Sequence, residues 1–272
     1  MSTFDSGLAQ FLMQDEDWLE DERQGAALVY GPYGGGKTHL ALTASMIDEL
    51  SPLLVIDTEG STSRIINKFD RSKIDVLRPR KAFINPDDPD TEYDVYPNTL
   101  EILRRIADGE ETKYKTVIID ALDVFFNWGL AYYEMENPSD GFYRWSKIHS
   151  DLTESPSFNH VGLMLRLKEA PVMFIAVLHE KNEGEGEKSV STFQWAGKGA
   201  GILGGVFDSV LHVSRKVNTK GEGNTTVLTQ SNGKNLSKTR LEIPAKLVNP
   251  TMADILGLTN LEESATVDTD EE

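Results

Sequence analysis

The feature that most constrains the fold is a glycine-rich segment, Gly31-Pro-Tyr-Gly-Gly-Gly-Lys37-Thr38, which fits the pattern G-x-x-x-x-G-K-[ST] at every position. It follows an apolar run of strand length, residues 26–30, and opens a segment with a helical pattern, residues 38–50. In that setting backbone N–H groups and a helix N-terminus converge on phosphate oxygens, and the threonine hydroxyl can ligate Mg²⁺. The alternative is a glycine-rich turn that happens to precede a lysine. We predict a site for ATP and Mg²⁺ formed by Gly31, Pro32, Tyr33, Gly34, Gly35, Gly36, Lys37, Thr38 and His39.

Short apolar runs rich in β-branched residues recur along the chain, at residues 26–30, 53–56, 117–119, 172–178 and 210–213. Their lengths are those of strands, and the segments between them are long enough for crossover helices. Helical patterns cover residues 38–50 and 98–107 and much of 123–170, where Pro138 and Pro156 are expected to break the helix. The expected fold is α/β, with a mainly parallel sheet flanked by helices.

Two segments are predicted to be loops. Residues 85–97 contain three prolines and five acids, a composition typical of a surface loop. Residues 180–205 contain seven glycines and no sustained apolar period. Long loops inside a domain are commonly functional, so we expect residues 180–205 to contribute to the activity.

A magnesium site and a hydrolytic reaction both need carboxylates near the phosphates. Asp120 ends the apolar run 116–120, and ligands gather at the carboxyl ends of strands in open α/β sheets. We predict that Asp120 and Thr38 hold the metal, the alternative being an aspartate that only forms a turn. Glu59 follows the run 53–56 and is the candidate that faces the γ-phosphate and prepares the attacking water. The alternative for Glu59 is a carboxylate that caps a helix over residues 61–67.

Charge is unevenly distributed along the 272 residues, which carry a formal net charge of −17. Residues 1–24 hold seven acids and one base, and residues 251–272 hold seven acids and no base. Residues 25–250 are left with a net charge of −4, and residues 181–250 have ten bases against six acids. We predict an acidic N-terminal arm (1–24), one ATPase domain (25–250) and an acidic C-terminal tail (251–272).

Composition excludes several other classes. The absence of cysteine rules out disulfides, thiolate metal sites and cysteine nucleophiles. No run of about 18 apolar residues is present, so no membrane partner is expected. The first residues lack the basic flank and the cleavage site of a signal peptide, which predicts a cytoplasmic protein.

Four segments together resemble a known family: GPYGGGKT, LLVIDTEGS, TVIIDALD and VMFIAVLHE are similar to the ATPase core of RecA-type recombinases. The resemblance implies a RecA-like P-loop NTPase core in which Glu59 activates water and Asp120 closes the second nucleotide motif. It also implies that His179, at a position where glutamine is usual, senses the γ-phosphate. Ala121 follows Asp120, whereas the AAA+ pattern has a glutamate there. The compact size is similar to core-only RecA-like proteins of bacteriophages, which act in recombination and single-strand annealing.

The same resemblance implies a DNA-contacting loop at residues 180–205. Its candidate contacts are Lys188 and Lys198, which can neutralise phosphates, and Phe193 and Trp195, which can stack on unpaired bases. The alternative is a solvated loop whose two aromatic rings pack back onto the domain. Lys198, or else Arg240, is the candidate for a cation that reaches the nucleotide of a neighbouring copy. The expected partners are single-stranded DNA, further copies of the chain in a ring or filament, and a single-strand-binding protein.

Two functions of different classes follow. The first is an Mg²⁺-dependent ATPase that acts on single-stranded DNA in phage recombination, annealing or repair. The second is a nucleotide-gated regulator or assembly factor that acts on a protein partner, an alternative favoured by the overall negative charge. A small-molecule kinase would need an arginine-bearing lid, and residues 180–205 contain no arginine.

Overall fold

The computed structural model describes residues 25–85, 87–136, 160–184, 189–195, 199–217 and 223–258. Within these ranges the strands are β1 (Ala26–Gly31), β2 (Leu53–Asp57), β3 (Ile74–Leu77), β4 (Thr116–Asp120), β5 (Met173–Glu183), β6 (Val190–Phe193), β7 (Ser209–Val217), β8 (Gly223–Leu228) and β9 (Lys246–Val248). The α-helices are α1 (Lys37–Leu42), α2 (Pro79–Phe83), α3 (Val95–Ala107), α4 (Leu122–Glu136), α5 (His160–Glu169), α6 (Gly199–Val206) and α7 (Met252–Ile255).

The strands form one sheet in the order β3-β2-β4-β5-β1-β7-β8-β9, and β6 pairs with β5. Every pair from β3 to β7 in this order is parallel, whereas β7–β8, β8–β9 and β5–β6 are antiparallel. β1, β2 and β4 are buried along their whole length, as expected for parallel strands that helices cover on both faces. The predicted mainly parallel α/β fold is confirmed.

Successive side chains of β1 enter two separate apolar clusters. Leu28 and Tyr30 lie in the cluster that includes side chains of α3, α4 and α5, and Val29 lies in the cluster that includes side chains of α1 and α7. This alternation follows from the two-residue period of a strand. A strand buried on both faces is held in register, so the loop that leaves its carboxyl end has a fixed starting point.

The first helix is shorter than predicted. α1 ends at Leu42, and the chain continues as two 3₁₀ helices, Thr43–Met46 and Asp48–Leu50. Thr43 Oγ1 donates to the Leu40 carbonyl at 2.6 Å, and Ser45 Oγ donates to the Leu42 carbonyl at 2.7 Å. Such side-chain bonds compete with the regular helical ladder, which explains the tightening.

Both predicted loops contain regular structure, so these predictions were wrong in part. Residues 85–97 include a 3₁₀ helix, Pro89–Asp94, and the start of α3, where Pro97 lies in the first turn and needs no N–H partner. Residues 180–205 include the end of β5, the whole of β6 and most of α6. β6 is held to the sheet by antiparallel pairing with β5, and the buried hydroxyl of Tyr30 lies 3.3 Å from the Ser191 carbonyl oxygen of β6.

The described part of residues 123–170 is helical, as predicted, in α4 and α5. The predicted breaks at Pro138 and Pro156, and the acidic arm 1–24, lie outside the described residues. Residues 251–258, assigned above to the acidic tail, include α7, which packs on the domain through a bond from the Met252 N–H to Thr43 Oγ1 at 2.8 Å. No helix in the described ranges is long and apolar enough to cross a membrane.

Candidate functional site

The phosphate-binding loop connects the end of β1 to the start of α1, and the surrounding strands determine which of its positions must be glycine. Gly31 has φ +156°, and a Cβ added there would lie 1.9 Å from the Val213 carbonyl oxygen of β7. Gly36 precedes α1 with φ +99°, a conformation that L side chains rarely adopt. The predicted strand–loop–helix arrangement is therefore present, and the sequence pattern reflects real steric limits.

Lys37, the first residue of α1, turns its side chain back across the loop. Its ammonium group donates to the carbonyl oxygens of Gly31 and Pro32, each at 2.9 Å, and lies 5.8 Å from the centre of the Tyr33 ring. Burial lowers the pKa of Lys37, and the nearby carboxylates of Asp120 and Glu59 oppose that effect. The ammonium is thus held over the loop that is predicted to receive the phosphates.

Thr38 and Asp120 come together as the sequence predicted. Thr38 Oγ1 donates to Asp120 Oδ2 at 2.8 Å, and Ser61 Oγ donates to the same oxygen at 3.3 Å. Asp120 ends β4 beside Asp57 of β2 and is only 2% exposed. Hydroxyl and carboxylate oxygens are ligands that Mg²⁺ accepts, and Mg²⁺ commonly takes one or two carboxylates plus substrate phosphates.

The buried position of Asp120 has an energetic consequence. Burial raises the pKa of its carboxyl from 3.8 to about 6, and the charges of Asp57 and Glu59 act in the same direction, while the bonds from Thr38 and Ser61 oppose it. When a cation binds beside such a carboxylate, it stabilises the ionised form and offsets the free-energy cost of burying the charge. The donor set at Thr38 and Asp120 therefore fits a divalent cation.

We predict that Asp120→Asn stabilises the protein when nucleotide and metal are both absent. Between pH 3.8 and about 6 the folded state binds more protons at Asp120 than the unfolded state, so its contribution to stability falls as pH rises. Above pH 6 the full penalty, on the order of 3 kcal/mol, is present in the natural protein and absent in the variant. Denaturant unfolding in EDTA at pH 5 and pH 8 measures it. A variant that is less stable at pH 8 would contradict this account.

Glu59 follows β2, and it does not cap the helix that begins after residue 61, which was the alternative role predicted for it. The cap is Asp57 instead: its carboxylate accepts from the Ser61 N–H at 3.0 Å and from the Thr62 N–H at 3.3 Å, where the 3₁₀ helix Thr62–Arg64 begins. Glu59 Oε2 lies 3.4 Å from His179 Nε2, and the Glu59 side chain is 34% exposed. Its carboxylate is thus at the same sheet edge as Asp120 and is open to solvent.

His179 joins Glu59 to a buried carboxylate that sequence analysis did not single out. His179 Nδ1 lies 2.8 Å from Asp123 Oδ2, and Asp123, in the first turn of α4, is 4% exposed. The hydrogen bond to Asp123 raises the pKa of His179 above its usual value, and burial opposes the rise. Tyr33 of the phosphate loop covers the ring, with the two ring centres 4.6 Å apart. The result is a chain of three groups, Glu59–His179–Asp123, beside the loop.

The role of Asp123 can be tested by titration. We predict that Asp123→Asn lowers the pKa of His179 toward the ordinary value of about 6.5, because the first cause of the rise is the carboxylate of Asp123. NMR titration of the histidine ring measures this directly. His212, whose pKa is lowered chiefly by burial, serves as the internal control and should titrate as before. An unchanged pKa of His179 would remove Asp123 from this group.

The remaining predicted residues are placed as follows. His39 lies against the Phe69 ring, with ring centres 5.2 Å apart. Arg240 lies 3.4 Å from Asp208 and lines a groove with Gly25 at the opposite end of β1 from the phosphate loop, so it is distant from this chain's own nucleotide site. Lys188 and Lys198 lie outside the described residues.

The prediction that Phe193 and Trp195 stack on unpaired bases was wrong. Phe193 is fully buried against Tyr30, and Trp195 is 3% exposed and lies on Phe126 with ring centres 4.4 Å apart. Large aromatic surfaces are stabilised by such burial, and rings held in this way cannot also stack on nucleic-acid bases. The alternative given above, that both rings pack back onto the domain, describes this structure.

Comparison with known proteins gives one family and a distant structural likeness. Residues 24–241 match a family model described as AAA domain. The RadB recombinase structure is similar over 83% of this chain and 86% of that chain, with 16% identity and a TM-score of 0.48. An ATPase from the type III secretion system of pathogenic bacteria is similar over 73% of this chain and 53% of that chain, with 10% identity and a TM-score of 0.37. No curated protein matches the chain.

Proposed function

We propose that this chain, which belongs to the AAA domain family, hydrolyses ATP with Mg²⁺ at the site formed by β1, β2, β4 and β5. The observation that carries the proposal is the 2.8 Å bond between Thr38 Oγ1 and Asp120 Oδ2, because it brings a hydroxyl in the first turn of α1 and a strand-end carboxylate to one point beside the phosphate loop. An ordinary glycine-rich turn would have no reason to place a buried carboxylate there.

Each residue has a role that its position supports. Lys37 would donate to the β- and γ-phosphate oxygens in place of the two loop carbonyls that it now contacts. Thr38 and Asp120 would hold Mg²⁺, which when bound neutralises the charge that develops on the phosphates. The loop N–H groups and the start of α1 would orient the phosphates for attack.

Glu59 would orient the attacking water and accept its proton. Its carboxylate is solvent-accessible and lies at the same sheet edge as Thr38 and Asp120, so a water molecule beside the phosphates would be within reach of its oxygens. His179, held by Asp123, would fix the direction of Glu59 through Nε2 and would respond to the γ-phosphate through the same nitrogen. With Nδ1–H donated to Asp123, Nε2 can donate to Glu59 or to a γ-phosphate oxygen only when the ring is protonated, a form that the raised pKa of His179 favours.

We also propose single-stranded DNA as the macromolecule on which the ATPase acts, in recombination, annealing or repair, with assembly into a ring or filament. The support is the excess of basic residues over 181–250 and the resemblance to RecA-type and phage recombination proteins described above. The burial of Phe193 and Trp195 removes one part of that support, so the DNA contacts must be sought elsewhere on the surface.

The test is ATP hydrolysis by the full chain with Mg²⁺ at low salt, with and without single-stranded DNA, using Lys37→Ala as the blank. Stimulation by DNA is the expected result. Turnover that DNA does not change would retain the ATPase and support a protein partner instead. Absence of turnover in both conditions would contradict the proposed hydrolysis.

A further inference from the structure

The most basic segment of the chain lies beside the nucleotide site rather than in residues 181–250. Residues 61–82 contain two acids, Asp70 and Asp75, and seven bases, Arg64, Lys68, Arg71, Lys73, Arg78, Arg80 and Lys81. The segment therefore has a net charge of +5, whereas the rest of residues 25–250 has a net charge of −9. Such a local reversal of sign in an acidic protein concentrates anions at one place on its surface.

Internal ion pairs account for only part of this charge. Lys73 pairs with Asp48 at 2.6 Å, Arg80 pairs with Glu92, and Arg78 Nε lies 3.4 Å from Asp57 Oδ2. The other four cations are exposed and form no salt bridge with any residue that the structure describes: Arg64, Lys68, Arg71 and Lys81. Their charge is therefore available to a ligand.

Three of the seven bases surround a single groove of about 580 Å³, which we call the basic groove. Arg71 precedes β3, Arg78 is the N-cap residue of α2, and Lys81 lies in α2. The walls also contain the apolar side chains of Ile66, Val76 and Leu77. β3 is parallel to β2, so its end at Leu77 faces the same sheet edge as Asp57 and Asp120. Ligands in open α/β sheets gather at this edge.

The groove combines the two chemistries that a nucleic-acid strand presents. Guanidinium and ammonium groups match backbone phosphates, and arginine can bind a phosphate through two parallel N–H bonds. The apolar walls can take the sugar and base faces, which an acidic peptide does not offer. We propose that the basic groove binds the phosphate backbone of single-stranded nucleic acid.

The groove is connected to the proposed metal site by a short chain of contacts. Arg78 and the N–H groups of Ser61 and Thr62 share the carboxylate of Asp57, and the Ser61 hydroxyl bonds to Asp120. A nucleic-acid strand that binds Arg78 would therefore contact a residue that is linked, through Asp57 and Ser61, to the proposed metal ligand Asp120. This inference shares its ligand with the proposed function, but it depends on neither ATP hydrolysis nor residues 181–250.

The experiment compares two double variants of the full chain. Arg71→Ala with Lys81→Ala removes two unpaired cations of the groove, and Lys216→Ala with Lys246→Ala removes two exposed cations of β7 and β9, which lie in the basic segment 181–250. Binding of a fluorescein-labelled oligothymidylate is followed by anisotropy from low to moderate salt, with and without ATP and Mg²⁺. Thermal unfolding of each variant verifies its folding.

The expected result is a loss of affinity of about tenfold for the groove variant, with a salt slope shallower by about 1.4 because two single-strand phosphate contacts are lost. The Lys216/Lys246 variant should bind like the natural protein. Equal losses in both variants, loss only in the Lys216/Lys246 variant, or no binding by the natural protein would each overturn the proposal. Groove-dependent binding of polyglutamate that is tighter than that of the oligothymidylate at equal charge would overturn it in favour of an acidic protein.

ATP turnover measured on the same samples separates the two proposals. Groove-dependent DNA binding without turnover in the natural protein would leave this inference standing and contradict the ATPase. Turnover without groove-dependent DNA binding would support the ATPase and contradict the inference about the basic groove. If Arg71→Ala with Lys81→Ala fails to fold, Arg71→Gln with Lys81→Gln keeps part of the aliphatic stem and a polar end without the charge, and gives the same comparison.

Discussion

Replacing Glu59 with glutamine is expected to lower the rate of ATP hydrolysis by about 10²- to 10⁴-fold, the usual contribution of a positioned general base. Glutamine keeps the size of the side chain and an oxygen for His179 Nε2, but it cannot accept a proton from water. ATP affinity should be nearly unchanged, because Lys37, Thr38 and Asp120 are intact. Phosphate release and equilibrium binding of a fluorescent ATP analogue measure the two quantities separately.

The matched control is Glu49→Gln, which removes one exposed carboxylate from the 3₁₀ helix Asp48–Leu50, before β2 and away from the phosphate loop. It should leave both turnover and ATP affinity at the level of the natural protein. Normal turnover by Glu59→Gln would exclude Glu59 as the base. Reduced ATP affinity in that variant, with turnover per bound nucleotide unchanged, would assign Glu59 to binding instead.

Positions fixed by local rules were predictable from the sequence. The glycines of the phosphate loop are required by backbone geometry that the motif itself encodes, as the 1.9 Å clash at Gly31 illustrates. Asp120 was predictable because a buried apolar run that ends in an acid places that acid at the ligand-binding edge of a parallel sheet. These inferences needed only the chain order within one strand and one loop.

Contacts between distant segments were not predictable in the same way. Asp123 and His179 are 56 residues apart, and only the alignment of β4 with β5 brings α4 over the ring. The segment TVIIDALD contains Asp123, but a carboxylate in the first turn of a helix is ordinarily explained by the helix dipole. Similarly, β6 has two apolar residues in four, and its pairing with β5 and its contact with Tyr30, 161 residues earlier in the chain, appear only in the fold.

The candidate base Glu59 follows a different strand from the one that the AAA+ pattern uses. The acid expected directly after Asp120 in the AAA+ pattern is replaced by Ala121, which is 1% exposed and cannot serve as a base. Glu59, on the neighbouring strand β2, reaches the same edge because Thr58 links the two strand ends: its N–H donates to the Asp120 carbonyl at 2.7 Å. In the proposed mechanism the base thus comes from a different strand, while Thr38 and Asp120 keep the places of the metal ligands.

Lys37→Ala is expected to abolish detectable turnover and to weaken ATP binding by at least about 10²-fold. The variant loses hydrogen bonds from a charged group to the phosphates, each worth about 1.5–3 kcal/mol, and a loss of 2.7 kcal/mol already corresponds to a factor of 100. Lys113→Ala, which removes a cation paired with Asp75 on the surface, is the charge-matched control and should bind ATP normally.

The same substitution also distinguishes a functional lysine from a structural one. Burial lowers the pKa of Lys37, so the charged ammonium is held at some cost, and the two loop carbonyls that it contacts can be hydrated once it is removed. We therefore expect the unfolding free energy of the nucleotide-free variant to change by less than about 1 kcal/mol, within the range of a typical hydrogen bond. A large loss of stability with ATP affinity retained would mean that Lys37 holds the loop together rather than binding phosphate. If the variant keeps its unfolding free energy but loses ATP affinity, the buried ammonium of Lys37 serves nucleotide binding rather than the stability of the loop.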